Sequence, residues 1–259
     1  MPVSGLVRDA CDAPESRAGN DAMAVREVID ASVGCTPFTL RVLRSVRGRS
    51  FERLTGTAAE LLFVLAGRGH VIVDDHHHHE VEPETGVLLA PGSRYELDNE
   101  AAEDLEVVSV SLHDPLDAPA GWARDARLSR LADQADEAAT GERTFRIVFD
   151  PARGCANATQ FVGCIPVGAA PRHYHLYEEV IYVLDGNGVM HMNDEQAPLH
   201  PGSAVHLPAR KLHTLENSGP GVMRVLGVFR PAGSPAAAFY PDGTPAYTGD
   251  EPQTASAAQ

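Results

Sequence analysis

The chain has 259 residues, 43% of them hydrophobic, enough for one large core or two modest ones. Its 21 basic and 36 acidic residues leave a formal charge of -15, which repels phosphate backbones and anionic lipid surfaces, so neither nucleic acid nor membrane is an expected partner. No segment approaches the ~18 consecutive apolar residues of a membrane span, and the opening MPVSGLVRDACDAPESRAGNDAM lacks an apolar leader; the expectation is a cytoplasmic protein.

In chain order, residues 1–24 are polar and unpatterned and read as a flexible N-terminus. Residues 25–115 carry short β-rich runs (FTLRVLRSV, ELLFVLAG, HVIVDD, GVLLAP, LEVVSVSL) separated by Gly, Pro, Asn and Asp, the pattern of a sandwich or barrel. Within them DDHHHHE, residues 74–80, falls between two runs and predicts an exposed hairpin turn. Its four consecutive histidines alternate direction and cannot converge on one buried ion, so surface nickel or zinc is the most they would take. Residues 116–143 read as a linker. Within it Trp122, Ala126, Leu128, Leu131 and Ala132 approximate an apolar stripe at helical spacing and predict a helix over 121–143. A second β-rich stretch fills 144–232, and the Pro-, Gly-, Ala- and Ser-rich residues 233–259 read as a loosely held tail. Cys11, Cys35, Cys155 and Cys164 form no CxxC pair and are expected to be reduced, structural thiols.

The two β stretches repeat each other. ELLFVLAGRG from Glu60 lines up with EVIYVLDGNG from Glu179, placing Gly67 and Gly69 on Gly186 and Gly188 at a constant offset of 119. Gly34-Cys35 falls near Gly154-Cys155, and APGSRYELDN matches LPARKLHTLEN with Pro91 on Pro208.

The second copy carries the chemistry. In PRHYHLYEEVIYVLDGNG, residues 171–188, His173, His175 and Glu179 are separated by even numbers of residues and so share a strand face despite a bend near Leu176-Tyr177. Glu178 has the opposite parity and is expected at the rim. Two imidazoles and a carboxylate in an apolar interior are costly unless something pairs with them, and a divalent metal would do so. His213 in PARKLHTLEN is the best candidate for a fourth ligand from another strand. His191, His200 and His206 read as structural or exposed, though any could orient a ligand.

These residues resemble the paired motifs of the cupin family, specifically a two-domain bicupin. Gly168, His173, His175, Glu179 and Gly186 match the first motif, with one residue fewer than usual after the first glycine. Gly202, Pro208, His213 and Asn217 match the second, with Arg210 in the place of its middle glycine. The resemblance covers about residues 25–232 and implies an all-β fold: two double-stranded β-helix (jelly-roll) barrels in tandem, here with a short helical connector. It also implies one divalent transition metal per chain (Fe, Mn, Ni, Cu or Zn) on His173, His175, Glu179 and His213, with positions left open for substrate. In the first copy, counting places Leu54, Gly56 and Glu96 at the histidine positions and leaves only Glu60, so that unit reads as a degenerate, structural cupin without a metal.

The activity so implied is that of a small-molecule oxidoreductase similar to the cupin dioxygenases. Phe161, Ile181, Tyr182, Met190 and Met192 are possible walls, and Glu179 doubles as a catalytic base, as in quercetin-cleaving cupins. The alternatives are a non-redox cyclase, isomerase or hydrolase, similar to the zinc cupins of polyketide cyclisation, and a non-catalytic small-molecule binding module. The two units are expected to form an intramolecular pseudo-dimer, with further homo-oligomerisation open.

Overall fold

In the computed structural model, residues 6–113 and 125–246 are described, and they form two β units. The N-terminal unit spans Asp9–Asp133 with Gly154–Ala156. The C-terminal unit takes Gln134–Arg153 and the chain from Asn157 onward, together with the N-terminal segment through Arg8.

Each unit has a large sheet and a small one. In the N-terminal unit seven strands run in the order Arg127–Arg130, Thr85–Leu89, Glu60–Ala66, Leu105–Leu112, Phe38–Ser45, Met23–Ile29 and Glu15–Arg17. Its small sheet is Gly48–Arg49, Arg94–Asn99, Gly69–Val73 and His77–Val81, with Arg53–Leu54 also paired to Arg94–Asn99. In the C-terminal unit the seven are Val7–Asp9, Ser203–Leu207, Glu178–Asp185, Met223–Arg230, Thr159–Ile165, Thr144–Phe149 and Glu137–Ala138. The small sheet there is Gly168–Ala169, His213–Asn217, Gly188–Met192 and Glu195–Leu199.

Period-2 alternation sets the faces. Ile181 and Val183 point into a core with Met190, Val205, Leu215 and Val225, and Leu62 and Val64 do the same in the other unit with Val71, Val87, Leu97 and Val107. The repeated glycines have a steric cause: a Cβ on Gly188 would lie 2.3 Å from the Glu216 carbonyl oxygen, and one on Gly69 would lie 2.4 Å from that of Asp98. The backbone of the neighbouring strand passes where a side chain would stand.

Four expectations are corrected. The described part of the 121–143 stretch is not helical: it holds the strand Arg127–Arg130, a 3-10 turn at Leu131–Asp133 and the strand Glu137–Ala138, while Trp122 lies outside the described residues. The reason is tertiary. Arg127–Arg130 completes the edge of Thr85–Leu89, with Ser129 opposite Gly86 and Leu128 opposite Val87, and Leu128 stays 37% exposed instead of joining Ala126 and Leu131 in one buried stripe.

Residues 1–24 are not loose throughout, because Val7–Asp9 and Glu15–Arg17 are paired strands and Leu6 is buried. The first part of the tail is also structured: Phe239 forms an antiparallel bridge with Tyr174, and Ala236 and Ala238 are buried. The histidine tract is a turn only at its start, with Asp74 and Asp75 at positive φ, after which His77–Val81 is a strand paired to Gly69–Val73.

Candidate metal centre

His173, His175 and His213 come together as anticipated. Their ligating nitrogens lie within 4.8 Å of one another, and the ring centroids are 4.5 Å (His173–His213), 5.0 Å (His173–His175) and 5.0 Å (His175–His213) apart. A single antiparallel bridge between His173 and His213 joins the two segments, with each backbone N–H donating to the other's carbonyl.

Backbone carbonyls hold all three imidazoles. Nδ1 lies 2.9 Å from the Pro171 oxygen in His173, 2.8 Å from the Ala237 oxygen in His175 and 2.9 Å from the Lys211 oxygen in His213. A carbonyl only accepts, so each Nδ1 carries the proton, and in the neutral ring Nε2 keeps its lone pair. Burial first, and then the neighbouring imidazoles, lower the His175 pKa to about 3 and that of His213 well below the ordinary value; burial also lowers His173. Three neutral, oriented imidazoles are what a divalent ion requires.

Glu179 lines the same cavity, 3% exposed, but its carboxylate stands outside the 4.8 Å histidine group. Burial pushes its pKa up to about 8. Strand Met223–Arg230 makes room for it: a Cβ on Gly227 would lie 2.8 Å from Glu179 Oε1 and 2.3 Å from the Phe161 ring. Glu178, on the opposite face, accepts or donates at 2.6 Å with His206 Nε2, so it is bonded, not simply a rim group.

The cavity, about 100 Å³, is walled by Phe161, Ile181, Met190, Leu215 and Val225. Tyr182 and Met192 are not among its lining residues: Tyr182 has the parity of Glu178, and Met192 is packed in the core. Three contributors escaped the sequence reading. Tyr177 stacks on His175 at 4.5 Å and on Phe229 at 3.9 Å, and its parity with His175 and Glu179 was the available signal. Ala237, from the supposed tail, holds His175. Arg143 reaches the cavity wall from a hairpin 30 residues upstream of His173, with no local pattern to announce it.

His191 pairs with Glu216 at 2.7 Å, His200 Nδ1 lies 3.1 Å from the Pro201 oxygen, and His206 pairs with Glu178, so these three bond elsewhere than to the cluster. The 76–79 tract divides between two faces. His77 and His79 face Asp125, the latter at 2.7 Å, while His78 faces His70.

In the N-terminal unit the register corrects the counted equivalence. Tyr95 lies opposite Val73 as His213 lies opposite Met192, and Arg53 lies opposite Tyr95 as His173 lies opposite His213. Tyr95 and Arg53 therefore hold the ligand positions, not Glu96 and Leu54. Glu96 points to the other face and pairs with Arg49. Glu60, the counterpart of Glu179, accepts from Tyr95 Oη at 2.9 Å and from Ser109 Oγ. Its carboxylate is engaged by hydroxyls, and no histidine stands at the position of His213.

Each unit is thus built of two antiparallel sheets, and the histidine cluster lies within the C-terminal unit. Residues 161–229 match the family model described as Cupin domain. A 65-residue stretch is 31% identical to the uncharacterized protein MJ1618 of Methanocaldococcus jannaschii, covering 24% of this chain and about half (51%) of that relative's length. Among solved structures the chain is similar to Ylba from E. coli (TM-score 0.71, 12% identity, 89% of this chain and 93% of that one). It is also similar to a mutant of Bacillus subtilis oxalate decarboxylase OxdC (TM-score 0.71, 13% identity, 92% and 79%). The C-terminal unit thus carries the cupin-domain match, and most of the chain shares the fold of these solved structures. No helix among the described residues is long and apolar enough to cross a membrane.

Proposed function

We propose that the C-terminal cupin holds one divalent transition metal ion on His173, His175 and His213, with Glu179 beside it, and that the chain is an enzyme acting on a small organic molecule admitted to that cavity. The observation that carries this reading is the three Nδ1 atoms committed to backbone carbonyls, which leaves Nε2 of each clustered ring for an ion. Iron, manganese, nickel, copper and zinc all accept such a set. When bound, the ion would supply Lewis acidity and, as a redox metal, electron-transfer chemistry.

The chain's own residues do the rest. Phe161, Ile181, Met190 and Leu215 exclude water from the cavity. Tyr177 and Ala237 fix the His175 ring. Glu179, with a pKa near 8 set by burial, can take a proton from substrate and return it. The reaction class we assign first is dioxygenase-type oxidation. A non-redox cyclase, isomerase or hydrolase is the second reading, favoured by a carboxyl that stands apart from the histidines and carries an exchangeable proton.

The test is elemental analysis of protein prepared without chelating resin, because His76–His79 would collect nickel. About one tightly held ion per chain is expected, falling well below that in His175→Ala and His213→Ala with the β fold retained. Undiminished tight metal in both variants would sink the assignment. Oxygen uptake with catechols, flavonols or 1,3-diketones supports the first reaction class, and anaerobic turnover with zinc supports the second.

A further inference from the structure

Arg143 is a cation at the wall of the largely apolar cavity that the three histidines and Glu179 also line. The hairpin between Glu137–Ala138 and Thr144–Phe149 puts it there: the Ala139 N–H donates to the Arg143 carbonyl, Gly141 and Glu142 at positive φ turn the chain, and Ala138 pairs with Thr144. The side chain is anchored at one point, with Nη2 donating to the Leu215 carbonyl oxygen at 2.5 Å. That bond uses one of five guanidinium donors. Among the described residues no carboxylate pairs with Arg143, and burial alone lowers its pKa.

A partly buried guanidinium without a counter-charge is costly, and among the described residues the one hydrogen bond of the Arg143 side chain goes to the neutral Leu215 carbonyl, so a negative charge brought into the cavity by a ligand would be paired there. The rest of the lining, Phe161, Ile181, Met190, Leu215 and Val225, requires that ligand to have an organic body, which disfavours an inorganic anion.

We infer that the C-terminal site is selective for small organic acids, with Arg143 as the residue that binds the substrate carboxylate through its free N–H groups. This rests on the reading of the cavity as a substrate site, but its test separates the two. The full-length protein, with metal content measured on the same sample, is titrated calorimetrically with pyruvate and with pyruvamide, an uncharged molecule of the same shape. Pyruvate should bind at least about tenfold more tightly. Arg143→Gln should remove that preference without changing metal stoichiometry or pyruvamide affinity, and Arg143→Lys should restore part of it. Equal binding of the two probes, no pyruvate binding up to about 10 mM, or a preference that survives Arg143→Gln would each overturn the inference. Full metal with no anion preference sinks this proposal and spares the metal centre. Metal-free protein that still prefers pyruvate does the reverse. If Arg143→Gln fails to fold, Arg143→Lys decides: pyruvate affinity identical to that of the parent chain counts against a forked carboxylate contact.

Discussion

The chemistry proposed for the histidine cavity turns on which groups hold protons. In the metal-free protein Glu179, raised to about 8 by burial, is protonated at pH 7. A divalent ion placed next to it favours the carboxylate, so loading should release about one proton per chain from this residue at pH 7, readable as a buffer-dependent binding enthalpy. Glu179→Gln should abolish the release while the three histidines still hold the ion; unchanged release in that variant would show that the proton comes from elsewhere. The same shift bears on stability without metal. A carboxyl with a raised folded pKa binds more protons folded than unfolded between about pH 4.5 and 8, so its contribution is fully present below that window and is lost as pH rises through it. His175, lowered to about 3, works oppositely: the unfolded chain takes up its proton below about 6.5, and stability falls as pH drops toward 3. Spacing made the histidines legible because strand parity fixes their direction. It could not reveal Arg143, which shares neither strand nor motif with them.

At the level of strands, one architecture carries two interiors. Ser109 stands opposite Leu62 on its neighbouring strand, and Gly227 stands opposite Ile181, the same place in the repeat. In one unit the hydroxyl satisfies Glu60; in the other the absent side chain leaves room for Glu179 and Phe161. Gly227→Ala should therefore force Phe161 or Glu179 aside, cost about 1–3 kcal/mol by denaturant unfolding and disturb the proton release. A variant as stable as the parent, with the release intact, would show that the space is slack. Glu60→Gln should leave metal content unchanged, because Tyr95 and Ser109 already occupy its oxygen; loss of a tight ion there would place a metal in the N-terminal cupin. The pairing of Tyr95 with His213 was missed because LPARKLHTLEN is one residue longer than APGSRYELDN, and counting from the proline carries the extra residue into the strand. Counting back from the asparagine succeeds. Asn99 and Asn217 make the same bonds, their Nδ2 groups donating to the carbonyls of Ser45 and Glu103 and of Ile165 and Gly221.

Across the whole chain, the duplication and the β class were legible because alternation and glycine spacing survive in both copies. Which residues make up each unit was not, since a strand of three residues such as Val7–Asp9 has too little pattern to assign to a distant partner. That strand lies beside Ser203–Leu207 at the edge of the large C-terminal sheet, and Leu6, 4% exposed, enters the core that contains Met190 and Val205, with Val7 packed against it. Removing residues 1–9 would strip that core of one buried leucine and part of a valine, about 2–3 kcal/mol of burial, and leave Ser203–Leu207 with an open edge. The melting temperature should fall by roughly 5–10 °C, with a greater tendency to self-associate on heating. Leu6→Ala in the full chain should give a smaller fall without the self-association, because the strand backbone still covers the edge. A truncated protein that melts with the parent would mean that the first strand adds nothing to the C-terminal cupin.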